Sequence, residues 1–243
     1  MKVATVRLDK MLSNAGYGSR KEIKQILRDG YVTVNGEVCL RPETKIHTDS
    51  QEVHIDGISV AAESLHYYML NKPAGVISAT FDANGEETVI DLLDDDVAAE
   101  SLFPVGRLDK DTVGLLILTN DGIYAHKALS PKRHVPKTYH ATVIGTLTEA
   151  DVQAFEQGIA LEDGYVCKTA VLRIISAGET SQAEVIITEG KYHQVKRMFA
   201  ARGKTVTYLR RVSFGGLRLD ESLAEGEYRY LTEAEVRMVL LGE

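Results

Sequence analysis

A chain of 243 residues with 44% hydrophobic content can bury a sizeable core, which excludes a disordered polymer and predicts one large domain, alone or with a smaller one. Its longest aliphatic run, Val113 to Leu118, is far short of the roughly 20 residues a spanning helix needs, and the first residues lack a secretory signal pattern, so a cytoplasmic, membrane-free protein is expected. The net charge of -7 argues against a polyanionic partner only on average: residues 1–30 carry +4, residues 105–140 carry +3, and residues 191–218 carry +8 without a single acid.

Charges are screened beyond about 10 Å at moderate salt, so a phosphate backbone responds to such local blocks more than to the total. Alternating blocks are equally compatible with plain solvated faces, and only motifs can decide between the two. Cys39 and Cys167 stand far apart and outside any paired pattern, which argues against a disulfide framework or a zinc ribbon.

In chain order, Leu8, Met11, Leu12 and Ala15 recur at helical spacing, and Gly16-Tyr17-Gly18 stops that helix. Ser19 and Glu22 form a capping box for a second helix whose apolar stripe is Ile23, Ile26 and Leu27, with Gly30 just past its end. Arg20, Lys24 and Arg28 fall one turn apart on the side away from that stripe, with Lys21 beside them. Tyr31 to Val34 and Glu37 to Leu40 read as strands joined by an Asn35-Gly36 hairpin turn, and Glu52 to Ile55 as a further strand. This unit is expected to span residues 1–57, followed by a linker over residues 58–66.

The stretches Arg7-Leu8-Asp9-Lys10, Gly18-Ser19-Arg20-Lys21-Glu22 and Gly30 to Gly36 resemble the S4-type RNA-binding domain over about residues 6–57. That resemblance implies that Arg7, Lys10, Arg20, Lys21, Lys24 and Arg28 face folded RNA. The plainer alternative is a helix pair whose basic face is merely solvated.

Residues 67–243 are expected to form the larger domain. Strands are predicted at Tyr67 to Leu70, Val113 to Leu118, Thr138 to Ile144, Ala170 to Ile175, Ala183 to Thr188, Thr205 to Val212 and Tyr228 to Leu231. Helices are predicted at Ile123 to Leu129, Glu149 to Gln157, Val195 to Arg202 and Glu233 to Leu241, the last capped by Thr232 with Glu235. Strands outnumber helices without regular alternation, so the class is α+β, with a mixed, mostly antiparallel sheet flanked by helices.

The chemistry concentrates in two segments. Gly106-Arg107-Leu108-Asp109-Lys110-Asp111-Thr112 sets two carboxylates and two cations before a buried strand, either as an Asp-rich turn or as a reactive carboxylate. Asp109 and Asp111 are also spaced to share a face as a glycosidase-like pair. Glu189-Gly190-Lys191-Tyr192-His193-Gln194-Val195-Lys196-Arg197 opens a basic helix, and a buried aspartate needs such a cationic neighbour to stay ionised. The histidines lack partners at metal-ligand spacing, so no metal is expected.

Together with Asn71-Lys72-Pro73-Ala74-Gly75, Ser130-Pro131-Lys132 and Lys137-Thr138-Tyr139, these segments resemble the RNA pseudouridine synthases, in particular the branch acting on small-subunit (16S) ribosomal RNA. The resemblance implies a cofactor-free isomerisation of a uridine to pseudouridine in 16S rRNA or a small-subunit assembly intermediate, by a monomer. It implies catalytic roles for Asp109, Tyr139 and Lys196, the last standing where several relatives have arginine. Lys72, Arg107, Lys132, Lys137, Lys191, His193, Arg197 and Arg211 are then expected RNA contacts. Two rivals remain open at this point: a non-catalytic RNA-binding or ribosome-assembly protein in which Asp109 anchors a turn, and a cofactor-free glycosidase or nucleosidase using Asp109 with Asp111.

Overall fold

The computed structural model describes residues 5–15, 17–48, 50–60, 65–98 and 101–240. Gly16, residues 61–64 of the expected linker and Leu241 lie outside them. The chain forms two compact units, Met1–Leu65 and His66–Glu243. No helix among the described residues is long and apolar enough to cross a membrane.

In the first unit, β1 (Thr5–Arg7) leads into α1 (Leu8–Asn14) and α2 (Arg20–Arg28), followed by β2 (Val32–Val34), β3 (Glu37–Val38), β4 (Lys45–His47), β5 (Val53–Ile55) and β6 (Ile58–Val60). The Ser19 hydroxyl accepts from the Glu22 amide, and the Glu22 carboxylate accepts from the Ser19 amide at 2.7 Å, so the capping box is closed on both sides. Leu8, Met11, Leu12, Ile23, Leu27, Val32, Ile46, Val53 and Ile55 form one buried cluster, while Arg20, Lys21, Lys24 and Arg28 stay exposed. Asn35 and Gly36 both take positive φ, as the two-residue hairpin turn demands.

The linker expectation needs correction. Asp56 and Gly57 repeat the positive-φ pair, and they turn the chain into β6, which pairs antiparallel with β5 and buries Val60. Strands β1 and β4 also pair, although neither carries enough residues for a period to show. Arg7, expected to face RNA, makes a two-pronged ion pair with Asp9 at 2.8 and 2.9 Å; this holds the buried Asp9 carboxyl below its ordinary range.

The second unit is α+β, as expected. It contains β7 (Tyr67–Lys72), α3 (Asp95–Ala98), β8 (Phe103–Pro104), β9 (Val113–Thr119), α4 (Gly122–Leu129), β10 (Lys137–Ile144), α5 (Glu149–Gln157), β11 (Val171–Ser176) and β12 (Thr180–Ile187). Then follow α6 (Gln194–Ala200), β13 (Thr205–Phe214), β14 (Leu217–Arg218), β15 (Tyr228–Tyr230) and α7 (Glu233–Met238). The sheet runs β11-β12-β10-β13-β9-β7-β15, with β14 beside β13 and β8 beside β9; among these described strands β13 and β9 pair parallel and the other pairs are antiparallel.

Every residue of β9 is buried, and its two faces feed two separate cores. Leu116 and Leu118 pack with Phe155, Val195, Met198 and Phe199. Leu115 and Ile117 pack with Tyr124, Ala128 and Phe214. A strand buried on both faces reads as a continuous apolar run, which is why it was visible in sequence. Gly114 sits where β9 meets β13 at φ +100°, and a Cβ there would lie 2.4 Å from the Arg211 carbonyl oxygen, so only glycine permits this approach.

Candidate active site

The loop between β8 and β9 carries Asp109, and its shape is fixed from beneath. Lys72, at the end of β7, is fully buried and aims Nζ at the carbonyls of Pro73 (2.9 Å), Asp109 (3.3 Å), Lys110 (3.3 Å) and Thr112 (3.0 Å). The Gly75 amide donates to the Lys110 carbonyl, and Ser78 Oγ both accepts from the Leu108 amide and donates to its carbonyl, each at 3.0 Å. The turn Asn71 to Gly75 is thus a cradle for the Asp109 backbone. Burial pushes the Lys72 ammonium down to about 8, against the opposing pull of Asp111 and Asp109.

Helix α6 approaches the same loop with its side chains. Lys196 Nζ lies 3.4 Å from Asp109 Oδ2 and 2.5 Å from Asp111 Oδ1, and His193 Nε2 lies 3.6 Å from Asp109 Oδ1. Asp109 is partly enclosed, with a quarter of its side chain exposed, whereas Asp111 is three-quarters exposed. One ammonium therefore serves two carboxylates, and Lys196 holds the Asp111 carboxyl below its ordinary range. An Asp111 that only braces its own turn would not have this contact.

Asp109 and His193 border a cleft of about 690 Å³ that brings them together with Arg107, Lys137, Lys191, Ser130 and Pro131. A smaller hollow of about 80 Å³ shares Asp109 and His193 with it and adds the buried Tyr139 and Leu209. Lys137 is half-buried: desolvation, with the Arg211 guanidinium nearby, pushes it down to about 8 while Glu189 opposes. Lys132 is exposed beside Pro131, and Arg197 is tied to Asp163 at 2.6 Å.

Two expected RNA contacts are corrected. Lys72 has no exposed surface, because its charge is spent on backbone carbonyls rather than on phosphate. Arg211 is also buried: it sits on β13 against β9, donates Nε–H to the Leu115 carbonyl at 2.8 Å, and lies over the Phe214 ring. Neither side chain is available to a bound polyanion.

Residues 66–201 match the family described as RNA pseudouridylate synthase, and residues 6–58 match the S4 domain. The chain belongs to the RNA pseudouridine synthases. It is 46% identical to an uncharacterised RNA pseudouridine synthase of Bacillus subtilis, YtzG, over 96% of this chain and 98% of that one. It is 39% identical to the ribosomal small subunit pseudouridine synthase A of Escherichia coli, covering 97% and 100%. It is 38% identical to the ribosomal large subunit pseudouridine synthase B of B. subtilis, covering 95% and 94%. A crystal structure of a pseudouridylate synthase superposes with a TM-score of 0.69 at 36% identity, covering 96% of this chain and 99% of that one.

Membership of the synthases sets aside both the purely RNA-binding and the glycosidase alternatives. It also draws attention to groups that sequence reasoning passed over. Glu189 Oε1 accepts from the Gln194 side chain (2.6 Å) and the Lys168 amide (2.9 Å), and Oε2 accepts from the Tyr165 hydroxyl at 2.6 Å. The Tyr165 hydroxyl is accordingly pushed up to about 12. Gln194 Oε1 in turn accepts from the Lys191 amide, so Glu189 fastens the start of α6 to the Tyr165 segment across the cleft wall. Glu189 and Gln194 were both visible in the motif, but the Tyr165 hydroxyl that holds Glu189 lies 24 positions away, and no local spacing reveals it.

Proposed function

We propose that this synthase converts a specific uridine of small-subunit (16S) ribosomal RNA to pseudouridine, with Asp109 as the catalytic group. The observation that carries this is the placement of Asp109: a partly enclosed carboxylate at a cleft wall, kept next to Lys196 and His193 on a rigidly held loop. In the reaction the C1′–N1 bond of the nucleotide breaks and a C1′–C5 bond forms. The proton leaves C5, N1 ends protonated, and composition and redox state are unchanged. An ionised Asp109 serves either by attacking the anomeric carbon or by abstracting the neighbouring ribose proton.

A uridine within a helix cannot reach a recessed carboxylate, so the target is flipped out of its stack, with Tyr139 in the hollow beside Asp109 placed to lie against the uracil. Arg107, Lys137 and Lys191 border the cleft as partners for the flanking phosphates. The relative named for the small subunit supports the 16S assignment, and its full-length coverage extends that support to the S4-type unit. The enzyme acts in the cytoplasm as a monomer, on free rRNA or an assembly intermediate. Mapping pseudouridine in 16S and 23S rRNA from cells with and without the protein tests this: one 16S site is expected to vanish. Loss of a 23S site instead would overturn the subunit while leaving the enzyme class intact.

Two further outcomes follow from the geometry. Lys196→Met removes the cation beside Asp109 and leaves the His193 ring, 3.6 Å away, as a close polar neighbour, so kcat at saturating RNA is expected to fall about 100-fold while KM changes much less. In the same variant the Asp111 carboxyl, no longer held down by Lys196, is expected to titrate at higher pH by carbon-detected NMR. Weaker binding with an unchanged kcat would place Lys196 on the phosphate backbone.

On the first unit, Arg20→Glu with Lys24→Glu reverses two exposed charges on the helix face opposite the core. RNA affinity is expected to drop at least tenfold, and the dependence of log K on log salt to flatten by about one to two ions, as fewer counterions are released. Equal slopes for variant and wild type would remove this face from the RNA path.

A further inference from the structure

Tyr192 is the most conspicuous unexplained group at the cleft. It precedes α6, lines the cleft that holds Asp109, and remains 74% exposed. Its ring stacks on that of His193, with centroids 3.9 Å apart and planes within 16° of parallel. His193 is in turn 3.6 Å from the Asp109 carboxylate, so a two-ring stack leads outward from the reacting group.

The backbone is bent to produce this arrangement. His193 adopts φ 47° and ψ 35°, a left-handed conformation that costs a non-glycine residue free energy and concentrates at functional sites. The His193 imidazole thereby backs one face of the Tyr192 ring. The Arg197 guanidinium, paired with Asp163, also donates to the Tyr192 carbonyl at 3.5 Å and so fixes the backbone that carries the ring. An exposed aromatic face, backed by a second ring and lining a cleft that also holds Arg107, Lys137 and Lys191, has the composition of a single-strand stacking platform.

The chemistry of base extrusion gives such a platform a use. Once a uridine is turned out, the nucleobase next to it loses a stacking partner, and an aromatic face is the natural replacement. We propose that Tyr192, backed by His193, stacks on the nucleobase adjacent to the flipped uridine and so helps hold the RNA open. The proposal rests on the assignment of ribosomal RNA as substrate. Tyr192 acts on binding rather than on bond making, since its ring is separated from Asp109 by His193.

The chain contains no tryptophan, so Tyr192→Trp places the sole indole at this position. Combined with Asp109→Asn to prevent turnover, it is titrated with full-length 16S rRNA transcript, with the 23S transcript in parallel, and binding is followed independently by filter retention. Quenching of the indole emission by at least half at saturation, with reduced access to acrylamide, is expected. In the otherwise wild-type enzyme, Tyr192→Ala is expected to raise KM about tenfold with a smaller change in kcat, and Tyr192→Phe and Tyr192→Trp to recover most of that loss.

Unchanged emission on a transcript that is demonstrably bound would overturn the platform and leave the RNA assignment standing. Equal impairment of Tyr192→Phe and Tyr192→Ala would also overturn it, because the hydroxyl rather than the ring face would then be the contact. If the wild type neither binds nor modifies either transcript, the assignment of ribosomal RNA itself fails and the platform falls with it.

Discussion

Replacing Asp109 with asparagine is expected to lower pseudouridine formation at least 1000-fold, to the limit of detection by nucleoside mass spectrometry, with folding and RNA binding nearly intact. The substitution keeps the side-chain shape but removes the charge that either chemical route requires, whether as nucleophile or as base. It leaves Lys196 a partner, because the ammonium already contacts Asp111 at 2.5 Å, so the helix-to-loop contact survives. Removing a negative charge beside a bound polyanion tightens rather than weakens the complex. Asp111→Asn, at a three-quarters exposed carboxylate, is expected to cost no more than about tenfold. Residual turnover of the Asp109 variant above one per cent would refute Asp109 as the reacting group, and comparable losses at both positions would point to a shared carboxylate pair.

Much of the fold was legible where the signals are local. Ser19 with Glu22, the Asn35-Gly36 turn and the aliphatic run of β9 each act within a few residues, and the structure follows them closely. Asp56-Gly57 carried the same turn signal as Asn35-Gly36, but the small and polar residues after it read as a linker, and the pairing of β6 with β5 shows the hairpin instead. Strands β1 and β4 have three residues each and pair across some 40 positions, and β14 has only two residues, so no periodicity announces them.

The proposed site was legible in the pairing of Asp109 with Lys196 and illegible in its supports. Asp109 and Lys196 are 87 positions apart, and motif order brought both to notice before geometry placed them 3.4 Å apart. Lys72 and Arg211 were misjudged for a common reason: a formal positive charge in a sequence of basic blocks suggests phosphate, whereas burial is decided by long-range packing. Lys72 is enclosed by a loop some 37 to 40 residues further on, and Arg211 by the β9 crossing about 96 residues earlier. The +8 block of residues 191–218 therefore overstates the charge available at the surface, since Arg211 is sealed inside and Arg197 is neutralised by Asp163.

Buried Lys72 is expected to give the second large effect. Lys72→Met has nearly the same length but no donor, and it removes the group that gathers the carbonyls of Asp109, Lys110 and Thr112, leaving Asp109 the Thr112 amide and Lys110 the Gly75 amide. A stability loss of about 3 kcal/mol is expected, read as a fall of roughly 1 M in the urea midpoint. Turnover should fall about tenfold even where the variant is fully folded, because a loosened loop lets Asp109 drift from its reacting geometry. The pH dependence separates this clamp from simple packing. In the folded chain the ammonium is depressed to about 8, while in the unfolded chain it titrates near 10.5. Between those values the unfolded state binds more protons, so the contribution of Lys72 to stability grows as pH rises and is diminished as pH falls through 8. Lys137, also depressed to about 8, titrates in both proteins and cancels in the difference. The gap in unfolding free energy between wild type and Lys72→Met is accordingly expected to widen from pH 7 to pH 9.5. A gap that stays constant would mean that the Lys72 ammonium is solvated, and that the Asp109 loop is held by the Ser78 and Gly75 contacts alone.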